Sequence, residues 1–205
     1  MSRQRSHRYA AAAAAVLAAA VVPAAAARDR AMAPVRVDAR TMVLQPADLP
    51  TGFGHAQGAY VSNAELEQQS EVVKDYAKLG RLTGYDVSYA RRAASGVLGL
   101  DSFASLYRSS TGAHDSFLQS VAGARRQGGR AFRSLPVPTP LGSETRLYRV
   151  TMMQSGLKLD YYTVAWRHGR VFAEVMGGGL SGTFEPAELV ALAAKQEARI
   201  SSALP

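Results

Sequence analysis

The stretch LKLDYYTVAWRHGRVFAEVM, residues 157–176, decides the fold. On both sides of His168-Gly169, apolar or aromatic side chains alternate with polar ones, which is typical of half-buried antiparallel strands. Because Gly169 tolerates a positive φ angle, a two-residue loop at His168-Gly169 predicts a tight hairpin between residues 157–167 and 170–176. The predicted buried face pairs Trp166 with Val171, Val164 with Ala173 and Tyr162 with Val175.

The other face of this hairpin is predicted to meet solvent, because it pairs Arg167 with Arg170 and Thr163 with Glu174. Outside the hairpin, the same periodicities predict strands at residues 85–89, 97–108 and 148–152, and helices at 63–79, at 113–126 and from Pro186 to the C-terminus. The order is helix, two strands, helix, three strands, helix. It predicts an α+β fold, with a single antiparallel β-sheet of about five strands and helices packed on one face.

The N-terminus has the layout of a secretory signal peptide over residues 1–27. Arginines precede an apolar run from Ala10 to Val22, and small residues follow it, so cleavage is predicted after Ala27. The run is shorter than the roughly 20 residues that cross a bilayer, so membrane contact is expected only through an uncleaved signal. Residues 28–43 are predicted to be a flexible lead-in and 44–205 a single α+β domain, secreted or held in the cell envelope.

Charge and composition limit the classes of partner and of functional site that this chain can have. The chain has 24 Lys and Arg, 16 Asp and Glu, and no cysteine, which excludes disulfides, thiolate metal sites, cysteine nucleophiles and lipidation at the cleavage site. Loss of the signal leaves 21 basic residues against the same 16 acidic ones. These basic residues look scattered along the sequence, whereas nucleic-acid binders concentrate them, so no nucleic-acid partner is expected. An unknown small ligand, an anionic wall polymer or an envelope protein fits better.

No motif predicts catalysis or a bound cofactor. Gly177-Gly178-Gly179-Leu180-Ser181-Gly182 matches G-x-G-x-x-G, but it follows a hairpin and no returning strand comes after it, so a flexible connector is the better interpretation. His55, His114 and His168 lie in separate segments, without the spacing of a zinc site or the signature of a nucleophile elbow. We therefore expect no catalytic residue, metal ligand or cofactor.

Aromatic residues are the remaining candidates for a ligand site. Tyr85, Tyr89, Tyr162 and Trp166 are predicted to lie on the inward face of the sheet. Core packing is the first explanation for them. Their polar hydroxyl and indole N–H groups also suit the lining of a cleft.

The chain resembles a broad group of exported proteins of high-GC Gram-positive bacteria. The resemblance rests on the signal peptide, on LQPADLPTGF at residues 44–53, on the Tyr161–Val175 hairpin and on AAKQEARI at residues 193–200. More distantly, it is similar to extracellular sensor domains of bacterial Ser/Thr kinases and to PsbP-like lipoproteins, without their lipidation cysteine, disulfide or kinase domain. The resemblance implies an extracytoplasmic α+β domain of binding or accessory type, and it transfers no catalytic residue.

These observations predict an exported, non-enzymatic domain that binds a small ligand, a cell-wall component or a partner protein. Two alternatives stay open. One is a secreted hydrolase whose site is assembled only in space, which would depend on His55 or His114. The other is an envelope structural protein held by its basic surface charge.

Overall fold

A computed structural model describes residues 37–70, 75–91 and 96–204, and for His55 and Ala56 the backbone alone. Within these residues, seven antiparallel strands form one sheet in the order β1-β2-β3-β7-β6-β5-β4. The strands are β1 Gly54–Tyr60, β2 Arg81–Ala90, β3 Gly99–Tyr107, β4 Phe132–Leu135, β5 Glu144–Gln154, β6 Leu157–His168 and β7 Val171–Leu180. The α-helices are α1 Asn63–Gln69, α2 Ser110–Gly128 and α3 Pro186–Ala203. The predicted α+β class with one antiparallel sheet is confirmed, but the sheet has seven strands, not about five.

Helices pack on both faces of the sheet, whereas the sequence predicted one face. Helix α3 covers the face that carries Val164, Trp166 and Val175. We call this the α3 face. Helix α2 packs on the opposite face, the α2 face, against Ala165 and Phe172. Both of these residues are buried, although the sequence predicted that their face of the hairpin would meet solvent.

The central hairpin forms, but its register differs from the predicted one by two residues. The loop is Gly169-Arg170, so His168 pairs with Val171 and Trp166 with Ala173. Because side chains alternate with a period of two, a shift of two residues leaves each side chain on its predicted face. Gly169 has the positive φ, 54°, that the tight turn requires.

Strand β7 continues through the glycine segment that was interpreted as a flexible connector. Gly177 and Gly178 pair with β6 and β3, and Gly179 pairs with Asp160. A side chain at Gly178 would overlap the ring of Tyr161, and one at Gly179 would overlap the backbone oxygen of Gly96. The glycines therefore allow close packing within a strand, and the interpretation as a flexible connector is wrong for residues 177–180; Ser181 and Gly182 lie in the turn that follows.

The segment after residue 36 belongs to the core. A 3-10 helix at Ala39–Met42 packs under α3, and Met42, Val43 and Leu44 are fully buried. The backbone N–H of Leu44 donates to Ser102 Oγ at 2.9 Å, and that hydroxyl donates to Gln196 Oε1 of α3 at 2.6 Å. The predicted flexible lead-in is therefore wrong for residues 37–43. The rest of it lies outside the described residues, as do the predicted signal peptide and its Ala27 cleavage site.

The other differences concern short or exposed elements. The helix predicted over 63–79 ends early: α1 stops at Gln69, residues 71–74 lie outside the described residues, and a turn follows at 76–80. Ser62 accepts the N–H of Glu65 and Glu65 accepts that of Ser62, so a capping box begins the helix. Strands β1 and β4, at the two edges of the sheet, were not predicted.

Candidate functional site: an arginine-lined apolar groove

A groove of about 400 Å³ lies on the α2 face, between α2 and strands β4 and β5. Its walls combine apolar side chains with three arginines. They are Phe117, Leu118, Val121, Ala122, Arg125 and Arg126 of α2, Phe132 and Ser134 of β4, and Arg146, Leu147 and Tyr148 of β5.

Local structure fixes both walls. Ser109 caps α2 by accepting the N–H of Gly112 at 3.1 Å, and Gly129, with a φ of 48°, ends the helix. The chain then turns directly into β4, where the Phe132 ring stacks on Tyr148 of β5 with centroids 5.2 Å apart. The groove is therefore framed by buried aromatic rings and regular structure.

The arginines of the groove lie against aromatic rings. The Arg125 guanidinium is 5.6 Å from the Phe132 ring centre, and that of Arg146 is 6.0 Å from the Phe117 ring centre. In the described part of the chain, no ion pair involves Arg125, Arg126 or Arg146. Two of them occupy the last turn of α2, where a cation also stabilises the helix dipole. Arg146 comes from a strand, so the helix dipole does not explain it.

The groove lies in the most basic part of the chain. Residues 116–159 contain seven Lys and Arg and a single acidic residue, Glu144. That surplus of six exceeds the surplus of five carried by residues 28–205 as a whole. Glu144 is itself occupied, because it contacts His114 at 2.9 Å and accepts a hydrogen bond from Arg167. The fold thus gathers at one edge of the sheet charges that look scattered in the sequence.

A second polar cluster lies elsewhere on the α2 face, on neighbouring strands. Burial, together with the nearby Asp101, raises the pKa of Asp86 to about 7. Burial likewise raises the pKa of Glu174 to about 7, although the Ser120 hydroxyl donates to it at 2.6 Å. Burial also raises the pKa of Asp101, against a hydrogen bond from Ser88. The described residues contain no group of His, Asp and Glu that could hold a metal ion, this cluster included.

The structure places the four aromatic candidates on the α3 face, inside or beside the core. Tyr89 donates its hydroxyl to the backbone oxygen of Leu44 at 2.8 Å. Tyr162 packs edge-on against a phenylalanine. Trp166 is fully buried and donates to Glu197 at 2.7 Å, and Tyr85 is half-buried against Tyr60. These four aromatic residues lie on the α3 face, whereas the groove opens on the α2 face.

Two histidines link helices to the sheet. His114 of α2 contacts Glu144 of β5, and His168 of β6 lies 2.6 Å from Glu197 of α3. Burial would raise the pKa of Glu144, but hydrogen bonds from His114 and Arg167 outweigh it and hold that pKa below its usual value. Both contacts lie at the same end of the sheet, and each holds a helix against a strand. The side chain of His55 is not among those described.

Comparisons with known proteins give a distant structural likeness. No family model matches the chain, and no curated protein matches it. Among solved structures, the extracellular domain of PknH from Mycobacterium tuberculosis is similar over 84% of this chain and 96% of that one, with a TM-score of 0.47 and 8% identity. In the part of the chain that the structure describes, no helix is long and apolar enough to cross a membrane.

The sequence contains a local signal for the groove that total composition conceals. A run without acidic residues from Ser116 to Ser143 includes four arginines. Total charge hides this run, because the rest of residues 28–205 is nearly neutral, with 17 basic and 16 acidic residues. A windowed charge count would have identified it. The contribution of Arg146, by contrast, depends on the packing of α2 against β5, which no local stretch of sequence shows.

Proposed function

We propose that this protein is an exported, non-enzymatic binding domain whose ligand is an anionic amphiphile held in the groove between α2 and β4–β5. The observation that carries the proposal is the convergence of Arg125, Arg126 and Arg146, without carboxylate partners in the described chain, on a groove walled by apolar and aromatic side chains. A guanidinium binds phosphate or carboxylate oxygens in a planar, bidentate way, which gives the charged head of the ligand its place.

The apolar walls favour an amphiphile over a fully hydrophilic wall polymer. Leu118, 47% exposed at the groove, and Val121 offer contact to a hydrocarbon chain, and burial of such surface is favourable at about 25 cal/mol per Å². A polyanion without apolar parts would meet the arginines but leave this surface in water. The signal-peptide pattern at residues 1–27 is what supports export.

Calorimetric titration with dodecyl phosphate, below its micelle concentration, tests the ligand class. We expect binding of dodecyl phosphate, and none of inorganic phosphate or of the neutral dodecyl maltoside. Arg146→Gln removes one charged hydrogen bond worth about 1.5–3 kcal/mol, so Kd rises about tenfold or more. Leu118→Asp weakens binding through the apolar wall.

Lys78→Gln is the matched control, because it makes the same change of charge at a side chain that is 84% exposed and paired with Asp75, outside the groove. Equal weakening by Lys78→Gln and Arg146→Gln would mean unspecific attraction to a basic protein. If dodecyl maltoside bound as tightly as dodecyl phosphate, the arginines would have no part in ligand recognition.

Export has its own test. Native mass spectrometry of the protein from its producer's culture medium is expected to give a mass that begins at Arg28. A chain found only in cell membranes, with its first 27 residues intact, would contradict the secretion part of the proposal. Any bound species retained in the spectrum would give the ligand's mass directly.

A further inference from the structure

The turn between β5 and β6 forms a projecting tip. Strand β4 pairs with β5 only as far as Val150, and β7 pairs with β6 only from Leu159 onward. Residues 153–158 therefore have ladder partners only in each other, as Met153 with Lys158 and Gln154 with Leu157, and the N–H of Ser181 donates to the backbone oxygen of Lys158 at the base of the tip. At about 3.3 Å per residue, Gln154 lies about 13 Å beyond the last pair with β4.

This tip exposes large apolar side chains. Met153 is 67% exposed and Leu157 is 55% exposed, and they are two of the four large hydrophobic residues exposed in the described chain. Single exposed hydrophobic residues are ordinary on protein surfaces. Here the two are separated only by three residues, Gln154 and the turn at Ser155-Gly156, whose φ angles are both positive.

The two side chains project from opposite faces of the hairpin. Met153 is an odd number of residues from Tyr148 of the α2 face, so it lies on the α3 side, while Leu157, paired with Gln154, lies on the α2 side. A flat partner surface covers one face of a hairpin and leaves the other in water. Both side chains leave water together when the tip enters a soft apolar medium end-on.

The surroundings of the tip are cationic. Lys158 is exposed at the tip itself, and Arg130 and Arg133 are exposed where α2 passes into β4, along the same edge of the sheet. All belong to the stretch 116–159, with its surplus of six positive charges. Each such cation near an anionic lipid surface contributes to attraction that salt weakens.

We propose that the β5–β6 tip docks this protein on an anionic lipid bilayer, with Met153 and Leu157 inserted at the headgroup boundary and the flanking cations against lipid phosphates. Apolar side chains ringed by cations are the pattern that interfacial membrane binding uses. The proposal stands on the tip alone and does not need the groove to hold a ligand.

Vesicle sedimentation tests the docking with the full chain in the form that its cells produce. Large vesicles of phosphatidylcholine with 30% phosphatidylglycerol are compared with vesicles of phosphatidylcholine alone, at 0.1 M and 0.5 M NaCl. We expect binding to the anionic vesicles at low salt, and weaker binding at high salt or without phosphatidylglycerol. The double variant Met153→Ser/Leu157→Ser is expected to bind at least tenfold more weakly.

Leu118→Ser is the matched control, since it removes an exposed apolar side chain from the groove and leaves the tip intact. It is expected to keep vesicle binding, while the double tip variant keeps dodecyl phosphate binding, so the two sites are separated. In Leu157→Trp, fluorescence emission is expected to shift to the blue with anionic vesicles only. Unchanged vesicle binding of the double variant, or a dimer of the wild type that the double variant abolishes, would overturn the proposal.

Discussion

Replacement of Glu174 by Gln is expected to stabilise the protein at alkaline pH and to leave it unchanged in acid. Glu174 is half-buried in the middle of the sheet, where burial raises its pKa to about 7 and Ser120 donates a hydrogen bond to it. Gln keeps the shape and the accepting oxygen but carries no charge. The variant therefore removes the cost of an anion in this place without opening a cavity.

The size and sign follow from linkage between protonation and folding. A rise of the pKa from 4.5 to about 7 corresponds to about 3 kcal/mol. In the unfolded chain the carboxyl ionises near its ordinary value, whereas in the folded protein it holds its proton up to the raised pKa. The penalty is therefore absent below about pH 4.5, grows between 4.5 and 7, and is complete above 7. Because Glu174 keeps some solvent contact, we expect a gain of about 1–2 kcal/mol at pH 8.

Urea unfolding of wild type and variant at pH 5 and pH 8 measures this difference. Glu188→Gln, in the exposed first turn of α3, is the control and is expected to give no gain at pH 8. An equal effect of Glu174→Gln at both pH values would refute the reasoning, because a packing effect does not titrate. A loss of stability at pH 8 would show that the carboxylate is stabilised by its surroundings.

Two further perturbations test the packing of the helices. Gly112→Ala places a Cβ against the backbone oxygen of Leu79, so we expect thermal unfolding to show a loss of about 1–3 kcal/mol, while Gly99→Ala, which meets open space, shows much less. Asp48→Asn weakens the two hydrogen bonds from Arg199, at 2.6 and 3.1 Å, and is expected to cost about 0.5–1 kcal/mol at pH 7. Burial would raise the pKa of Asp48, but Arg199 and the Gln45 N–H lower it, so the cost is expected to vanish in urea titrations as the pH falls below its usual 3.8.

Periodicity predicted the strong elements and failed on the weak ones. The alternation around Trp166 identified the central hairpin because Tyr162, Val164 and Trp166 recur with a period of two. Strand β1 was missed because it contains two glycines and lies exposed at the sheet edge, where no apolar alternation is needed. Strand β4 has four residues and buries only Phe132.

The packing of α2 was hidden by polar residues. Thr163 and Glu174 suggested a wetted face, yet both lie in the sheet under or beside a helix, and Thr163 is buried. Burial of Glu174 depends on tertiary neighbours that no local window contains. The groove was missed for the same reason: Arg126 and Arg146 are 20 positions apart, and the packing of α2 against β5 brings them to one groove.

The strand order has a consequence for the route by which the chain folds. Strands β1 to β3 form one sequential meander and β4 to β7 another, and only the ladder between β3 and β7 joins them. Until β7 has formed, the inner edges of both meanders stay open to mispairing. Closure of this late, long-range ladder is therefore the step at which we expect folding to be slow and aggregation to compete.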